Sequence, residues 1–241
     1  MEYRVFASTD ELAVCCADIF TDLLTAKKNC VLGLATGASP VKTYQELIRR
    51  YQAGRISFAG VTTFNLDEYC DLPRDDKNSY YTFMHKNLFD HVDIREASAH
   101  LMDGNAADPD AEAAAFDRMI EAAGGVDIQL LGVGRNGHIG FNEPADHFSD
   151  GSFKVKLNDS TIEANSIYFD ENPMPRYALT MGIGTIMRAK KIVLIATGEK
   201  KAGAIRAAIR GEVTPQCPVS VLQTHPDALL LLDEEAASLL A

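Results

Sequence analysis

Positive charge is what this chain has little of. Lys and Arg total 23 against 34 Asp and Glu, which leaves a net charge of -11 at pH 7 and a pI near 5.0. Binding nucleic acid or an acidic membrane draws on clustered lysine and arginine, so both partner classes are excluded, and a small anionic substrate would need a local cationic pocket. Paired cysteine spacing is absent as well. The five cysteines, Cys15, Cys16, Cys30, Cys70 and Cys217, are odd in number and fit neither a zinc site nor a disulfide framework. Cys15 and Cys16 adjoin within an apolar helical pattern, as core thiols do. His85, His91 and His100 show no metal-ligand spacing, so no metal is expected. The N-terminal MEYRVFASTDEL lacks a basic region followed by an apolar core, and no window approaches a membrane span. A soluble cytoplasmic protein is expected. No linker, repeat or low-complexity tract interrupts the chain, so one domain over residues 1–241 is expected, its 46% hydrophobic content enough for a packed core.

What is present gathers around LLGVGRNGHIGFNEP, Leu130 to Pro144. Val126, Ile128, Leu130 and Leu131 form a short apolar run with strand character, and Gly132, Gly134, Gly137 and Gly140 then leave little room for regular structure. A buried strand thus runs into a glycine-rich loop bearing Asn136, His138, Asn142 and Glu143. Histidine titrates near neutrality and a carboxylate can orient it. Loops at the carboxyl ends of strands are where open parallel sheets hold ligands. The glycines loosely suggest a dinucleotide fingerprint, but His138, Phe141 and Pro144 do not continue as a helix-opening turn, so nicotinamide binding is disfavoured.

Tyr3 to Phe6 reads as a first strand, and Ser8, Thr9 and Asp10 offer caps for the helix that follows. Val31 to Ala35 is a short buried strand leading through Thr36, Gly37, Ala38, Ser39 and Pro40 into a helix near Val41. Strand, small-residue turn and helix present backbone N–H groups and a helix dipole to an anion, although a plain connection with Pro40 in the first helical position reads as well. Val61 to Leu66 is the next strand and ends in Asp67 and Glu68. Burial raises a carboxylate's pKa and suits it to proton transfer at carbon; alternation assigns Asp67 to a cleft and leaves Glu68 a structural or orienting partner. Ser79 to Phe89 and Pro109 to Ala123 read as helices, Phe153 to Asn158 as a strand with one wet face, and Ala145 to Ser152 as a loose segment. YALTMGIGTIMRAKK reads as helix or strand, Lys191 to Thr197 as a buried strand, AGAIRAAIRG as a helix with Lys201 at its start, and Ala228 to Leu232 as a last strand. Alternating strands and helices imply an α/β, Rossmann-like fold, a mostly parallel sheet with helices on both faces.

TGASP at 36–40, NLDEY at 65–69, GRNGHIGFNEP at 134–144, ALTMGIGTI at 178–186 and TGEKK at 197–201 together resemble the glucosamine-6-phosphate deaminase family, in this order and over nearly the whole chain. The resemblance implies conversion of glucosamine 6-phosphate and water to fructose 6-phosphate and ammonia in aminosugar catabolism, with no redox cofactor. It implies that Asp67 moves the C2 proton, and that His138 opens the ring, assisted by Glu143 and Asn136. Thr36, Gly37, Ala38 and Ser39 match the phosphate loop, and Lys201 a phosphate-binding lysine. Many members have Asp where this chain has Asn136, and the family usually has an arginine where Ile167 follows Ala164, Asn165 and Ser166. Weaker phosphate affinity or an altered substrate is expected unless Lys154, Lys156 or Arg176 substitutes. Gly151 to Lys156 lacks the family's Ser-Arg-Thr pattern, and the C-terminus is shorter than in allosteric members, so little activation by acetylated aminosugar phosphate is expected. Related readings are a galactosamine-6-phosphate deaminase, a 6-phosphogluconolactonase, and a catalytically weak sugar-phosphate-binding regulator. The expected partner is a phosphorylated aminosugar, with Ala145 to Lys156 as a candidate lid and the protein a monomer or homo-oligomer.

Overall fold

The computed structural model describes residues 1–166, 169 and 174–240. In chain order the elements are β1 (Glu2–Phe6), α1 (Thr9–Ala26), β2 (Val31–Leu34), α2 (Val41–Gln52), β3 (Thr62–Asn65), β4 (Asp67–Tyr69), α3 (Tyr80–Asn87), β5 (Ala99–His100) and α4 (Pro109–Ala122). There follow β6 (Ile128–Leu131), β7 (Phe153–Lys156), α5 (Asp159–Ser166), β8 (Tyr177–Thr180), α6 (Ile183–Met187), β9 (Lys191–Ala196), α7 (Ala202–Arg210) and β10 (Ala228–Asp233). Helix starts obey the capping chemistry of the sequence. Ser8 accepts from Glu11 N at 3.2 Å, Ser79 from Thr82 N at 3.0 Å, and Asp108 from Ala111 N at 3.0 Å. Pro40 stands just before α2 as its cap residue, one position earlier than the plain-connection reading has it.

Seven strands form an all-parallel sheet in the order β1-β10-β9-β6-β2-β3-β5. Every residue of β2, β6 and β10 is buried, so both alternating faces of the sheet are covered, and the strands are predominantly apolar for that reason, with Gln129 and Asp233 the polar exceptions. From β2 the chain works outward to β3 and β5, returns to β6 beside β2, and works outward the other way to β9 and β10. The order therefore reverses between β2 and β6. Crevices at such switch points, outside the carboxyl ends of the strands, are where open α/β sheets bind ligands.

A second sheet, antiparallel and ordered β4-β8-β7, was not foreseen from the sequence. Asp67 to Tyr69 reads there as the end of a strand, but the chain changes sheets at Leu66. Leu66 N donates to Leu34 O at 3.0 Å in the parallel sheet, and Leu66 O accepts from Met181 N at 2.7 Å beside the antiparallel one. Asp67 then pairs with Thr180, and Phe153 pairs with Thr180 from the other side. Periodicity cannot reveal this switch, because Val61 to Tyr69 is buried throughout save for half-exposed Thr62. YALT of the ambiguous stretch is strand and IGTIM helix. Val221 to His225 belongs to a 3-10 turn over Pro218–Thr224. Ala145 to Ser152 has no regular structure but is tied down, with Ala145 N on Pro215 O at 3.1 Å and Ser152 Oγ on Asp117 at 2.6 Å.

Aromatic packing locks α4 beneath the sheet. Phe116 is fully buried and meets Phe64 of β3 edge-on at 5.4 Å. Phe116→Ala should lower the free energy of unfolding by about 3–5 kcal/mol in urea titration, the usual cost of a large core cavity.

Candidate functional site

The loops that follow β2, β6 and β9 leave the same edge of the parallel sheet, and β6 lies between the other two strands. They carry Thr36 to Ser39, Gly132 to Glu143, and Gly198 to Lys201 respectively. In the first loop Gly37 adopts φ 88°, in the left-handed region that glycine tolerates, and Gly37 and Ala38 are exposed with Ser39 half-buried. The second loop is a closed turn, with Gly134 N on His138 O at 2.8 Å and Gly137 N on Gly134 O at 3.1 Å. Gly134 cannot be larger, since a Cβ there would stand 2.2 Å from His138 Cε1.

Inside this turn a network assembles on Glu143. Its Oε2 accepts from Asn136 Nδ2 at 2.6 Å and lies 3.5 Å from His138 Nδ1, while its Oε1 accepts from Thr161 Oγ1. Burial alone would raise Glu143. The close approach and charge of His138, with the hydrogen bonds of Thr161 and Asn136, more than offset it and bring the carboxyl to about 2. Glu143 is thus a committed anion facing the imidazole. Asn136 reaches His138 through its backbone, accepting from His138 N at 3.2 Å, and therefore acts on the ring by way of Glu143. Asn142 plays another part: its amide donates to Ile139 O and Met181 O at 2.9 and 2.8 Å, and its oxygen accepts from Ser149, so it braces the loop from within.

Asp67 meets this loop across the seam between the sheets. Phe141 N donates to Thr180 Oγ1 at 3.0 Å, Thr180 is the β-partner of Asp67, and a Cβ on Gly140 would lie 3.6 Å from Asp67 Oδ2. Burial drives Asp67 up to about 8, with the charge of Glu68 adding to the rise and a hydrogen bond from Thr36 opposing it. Glu68 is also raised by burial, but three backbone amides hold it: Tyr69 N at 2.8 Å and Tyr80 N and Tyr81 N at 2.9 Å each. Glu68 therefore pins the start of α3 beside the site, the structural of the two roles left open for it. Tyr80 stacks on Phe141 at 6.1 Å and hydrogen-bonds with Thr36, joining α3 to two of the loops.

Lys201 is half-buried on the third loop, and its pKa is lowered by burial and then by the charge of Arg135. Beside Glu143 a cleft of about 550 Å³ opens, walled by Pro144, Phe148, Val155, Ile183 and Pro218. Of the expected residues, Asp67 and Thr36 meet directly, Asn136, His138 and Glu143 form one network, and Lys201 feels the charge of Arg135 on the same turn. Lys154 sits over the Tyr177 ring at 4.8 Å on the wet face of β7. Ile167 lies outside the described residues. Thr161, Tyr80, Thr180 and Arg135 escaped sequence reasoning. Arg135 and Thr180 lie inside quoted motifs, whereas nothing in the sequence marks Thr161. Among the described residues no group of His, Cys, Asp or Glu could hold a metal ion, and no helix is long and apolar enough to cross a membrane.

Residues 6–231 match the family described as glucosamine-6-phosphate isomerases/6-phosphogluconolactonase. A glucosamine-6-phosphate deaminase of Shewanella loihica is 49% identical over 242 residues, spanning 100% of this chain and 90% of its own. One from Lysinibacillus sphaericus is 51% identical over 223 residues, 92% of this chain and 94% of that protein. The solved structure of a monomeric glucosamine-6-phosphate deaminase superposes with a TM-score of 0.96 at 43% identity, covering 99% of this chain and 100% of that one. The 6-phosphogluconolactonase of Trypanosoma brucei, at TM-score 0.78 and 20% identity over 100% of this chain and 98% of its own, shares the fold.

Because Asp67 is raised from 3.8 to about 8 on folding, the folded protein holds a proton that the unfolded chain releases, and stability falls as pH rises from about 4 to about 8. Asp67→Asn removes that slope. Its melting temperature should exceed the native one by a margin that widens by several degrees between pH 5 and pH 8; a margin constant across that range refutes the assignment.

Proposed function

The chain belongs to the family of glucosamine-6-phosphate isomerases and 6-phosphogluconolactonases, and from that membership we propose that it converts glucosamine 6-phosphate and water to fructose 6-phosphate and ammonia. The reading rests on one meeting of groups: a buried carboxyl poised near neutrality at Asp67, reached by the loop that presents His138 backed by ionised Glu143. Lactone hydrolysis asks for no base at carbon. Deamination by way of an enol does, and a carboxylate whose pKa lies near the working pH suits that task.

Each step has a group to perform it. His138 takes the proton of the anomeric hydroxyl and returns one to the ring oxygen, which opens the sugar to its aldehyde; Glu143 holds the imidazole and stabilises the cation that forms in between. The aldehyde acidifies C2–H, Asp67 removes that proton while O1 takes one from the neighbouring ammonium to give an enolamine, and the same carboxyl delivers its proton to C1. That transfer leaves an iminium at C2. Water adds there, nitrogen departs as ammonia, and the C2 ketone remains. Thr36 to Ser39 and Lys201 hold the phosphate, whose binding energy keeps the open chain in a reactive pose. The substrate is small and diffusible, and the setting we infer is one cytoplasmic domain over residues 1–241, monomeric or homo-oligomeric.

Purified protein should release ammonia from glucosamine 6-phosphate and far less from unphosphorylated glucosamine, with galactosamine 6-phosphate run beside them to fix the epimer. Asp67→Asn should lower kcat by about 10²–10⁴-fold with binding of a substrate analogue nearly unchanged; retained turnover would remove Asp67 from the reaction. Since the base form of Asp67 is needed, kcat/KM of the native protein should climb with pH up to about 8. A flat profile from pH 6 to 8 contradicts that role.

A further inference from the structure

Several cations of this acidic chain are bound to carboxylates. Lys27 and Lys190 share Asp127, Lys42 meets Asp10, Arg50 meets Asp18 and Glu46, and Lys191 meets Asp227. Among the described residues neither Arg135 nor Lys201 stands in a salt bridge. Asp233, which reaches the Lys201 turn, spends its oxygens on backbone, accepting from Gly198 N at 3.0 Å and Ala236 N at 2.8 Å.

What sets these two cations apart from other lysines and arginines without a salt bridge is that they follow adjacent strands at the carboxyl edge of the sheet. β6 and β9 pair in register from Ile128↔Lys191 to Leu131↔Leu194, so the turns that follow them emerge side by side. Arg135 occupies the apex of the closed Gly134–His138 turn and is exposed, and Lys201 ends the 3-10 turn Glu199–Lys201. Their proximity is felt electrostatically, since the Arg135 charge helps hold Lys201 below the ordinary lysine value. Across β6 from Lys201 lies the exposed Gly37 turn after β2. Two like charges brought together without a carboxylate disfavour the unliganded site and favour an anion between them.

We propose that Arg135 is a second cation for the phosphate group of the substrate, closing with Lys201 and the Gly37 turn around a phosphate monoester dianion; the assignment rests on the deaminase reading above. The two cations divide the work. A guanidinium offers a planar fork that matches two phosphate oxygens, while the lysine ammonium acts as a point charge. Because phosphate does not react, this contact is made equally in the ground and transition states and appears in KM rather than kcat. Arg135 also adjoins Asn136, so phosphate docking is mechanically linked to the turn that carries His138.

The test is steady-state ammonia release by Arg135→Gln and Arg135→Lys, with competitive inhibition by inorganic phosphate measured on each. Arg135→Gln should raise KM for glucosamine 6-phosphate by about 10- to 100-fold and weaken inhibition by inorganic phosphate in parallel, with kcat within about threefold. Arg135→Lys should recover part of both. An unchanged KM and unchanged phosphate inhibition in a folded Arg135→Gln protein overturns the proposal, and so does a fall in kcat alone, which would mark a merely structural turn residue. If native protein releases no ammonia, the deaminase reading has failed; stabilisation by inorganic phosphate in thermal melts then decides the anion site. Stabilisation lost in Arg135→Gln upholds it, and equal stabilisation of both proteins overturns it.

Discussion

The peptide unit of Leu66 is shared between two sheets: its N–H donates to Leu34 in the parallel sheet and its C=O accepts from Met181 beside the antiparallel one. Backbone groups buried away from water must find partners, so the chain can leave one sheet here because the other takes over at once. That demand fixes where Asp67 stands. It is the first residue beyond the switch, paired with Thr180, and Thr180 in turn anchors Phe141 of the histidine loop. The distance from carboxyl to histidine loop is thus set by β-pairing, which is stiffer than any arrangement of side chains on free loops.

The parallel sheet was legible in the sequence because doubly covered strands announce themselves as predominantly apolar runs, and Val31 to Leu34, Ile128 to Leu131 with its single Gln129, and Ile192 to Ala196 do so. The loop chemistry was legible too, as polar side chains crowded among glycines at strand ends: Asn136, His138 and Glu143 form one network. Alternation left Glu68 a structural or orienting partner, and its three backbone contacts make it the former. The antiparallel sheet was not legible. Its strands are short, β4 continues the buried run of β3, and strand pairing between residues 67–69 and 178–180 is a contact over more than a hundred positions that no local pattern encodes. Thr161 was lost for the same reason, since a lone threonine in a modest helix carries no mark of the carboxylate it will meet.

Composition and site pull in opposite directions. A net charge of -11 repels phosphorylated metabolites at long range, yet the carboxyl ends of β2, β6 and β9 collect an open glycine turn and two cations free of carboxylate partners. Outside that crevice the acidic residues are put to structural use. Asp127 binds Lys27, Lys190 and Val31 N, Asp108 caps α4, and Glu68 caps α3. Such carboxylates are satisfied locally, and salt at physiological strength screens their fields beyond about 8 Å. The crevice is left to its own short-range electrostatics.

Within the crevice two carboxyl groups of nearly equal intrinsic acidity are driven apart, Asp67 to about 8 and Glu143 to about 2. Asp67 is buried whereas Glu143 is half-buried at the edge of the cleft, so burial raises Asp67 the more. Partners widen the gap. Glu143 receives Asn136 and Thr161 and faces an imidazole, whereas Asp67 has a single threonine and the charge of Glu68 beside it. Opposite shifts of this kind divide labour between acids in one site: a group locked as an anion can hold a histidine but gives and takes protons poorly, and a group that titrates near neutrality can shuttle one. Asn136 sharpens the division. An aspartate in its place would set a second negative charge 2.6 Å from Glu143 and push that carboxyl up, whereas the amide lowers it, so the neutral residue at 136 helps keep Glu143 ionised beneath His138.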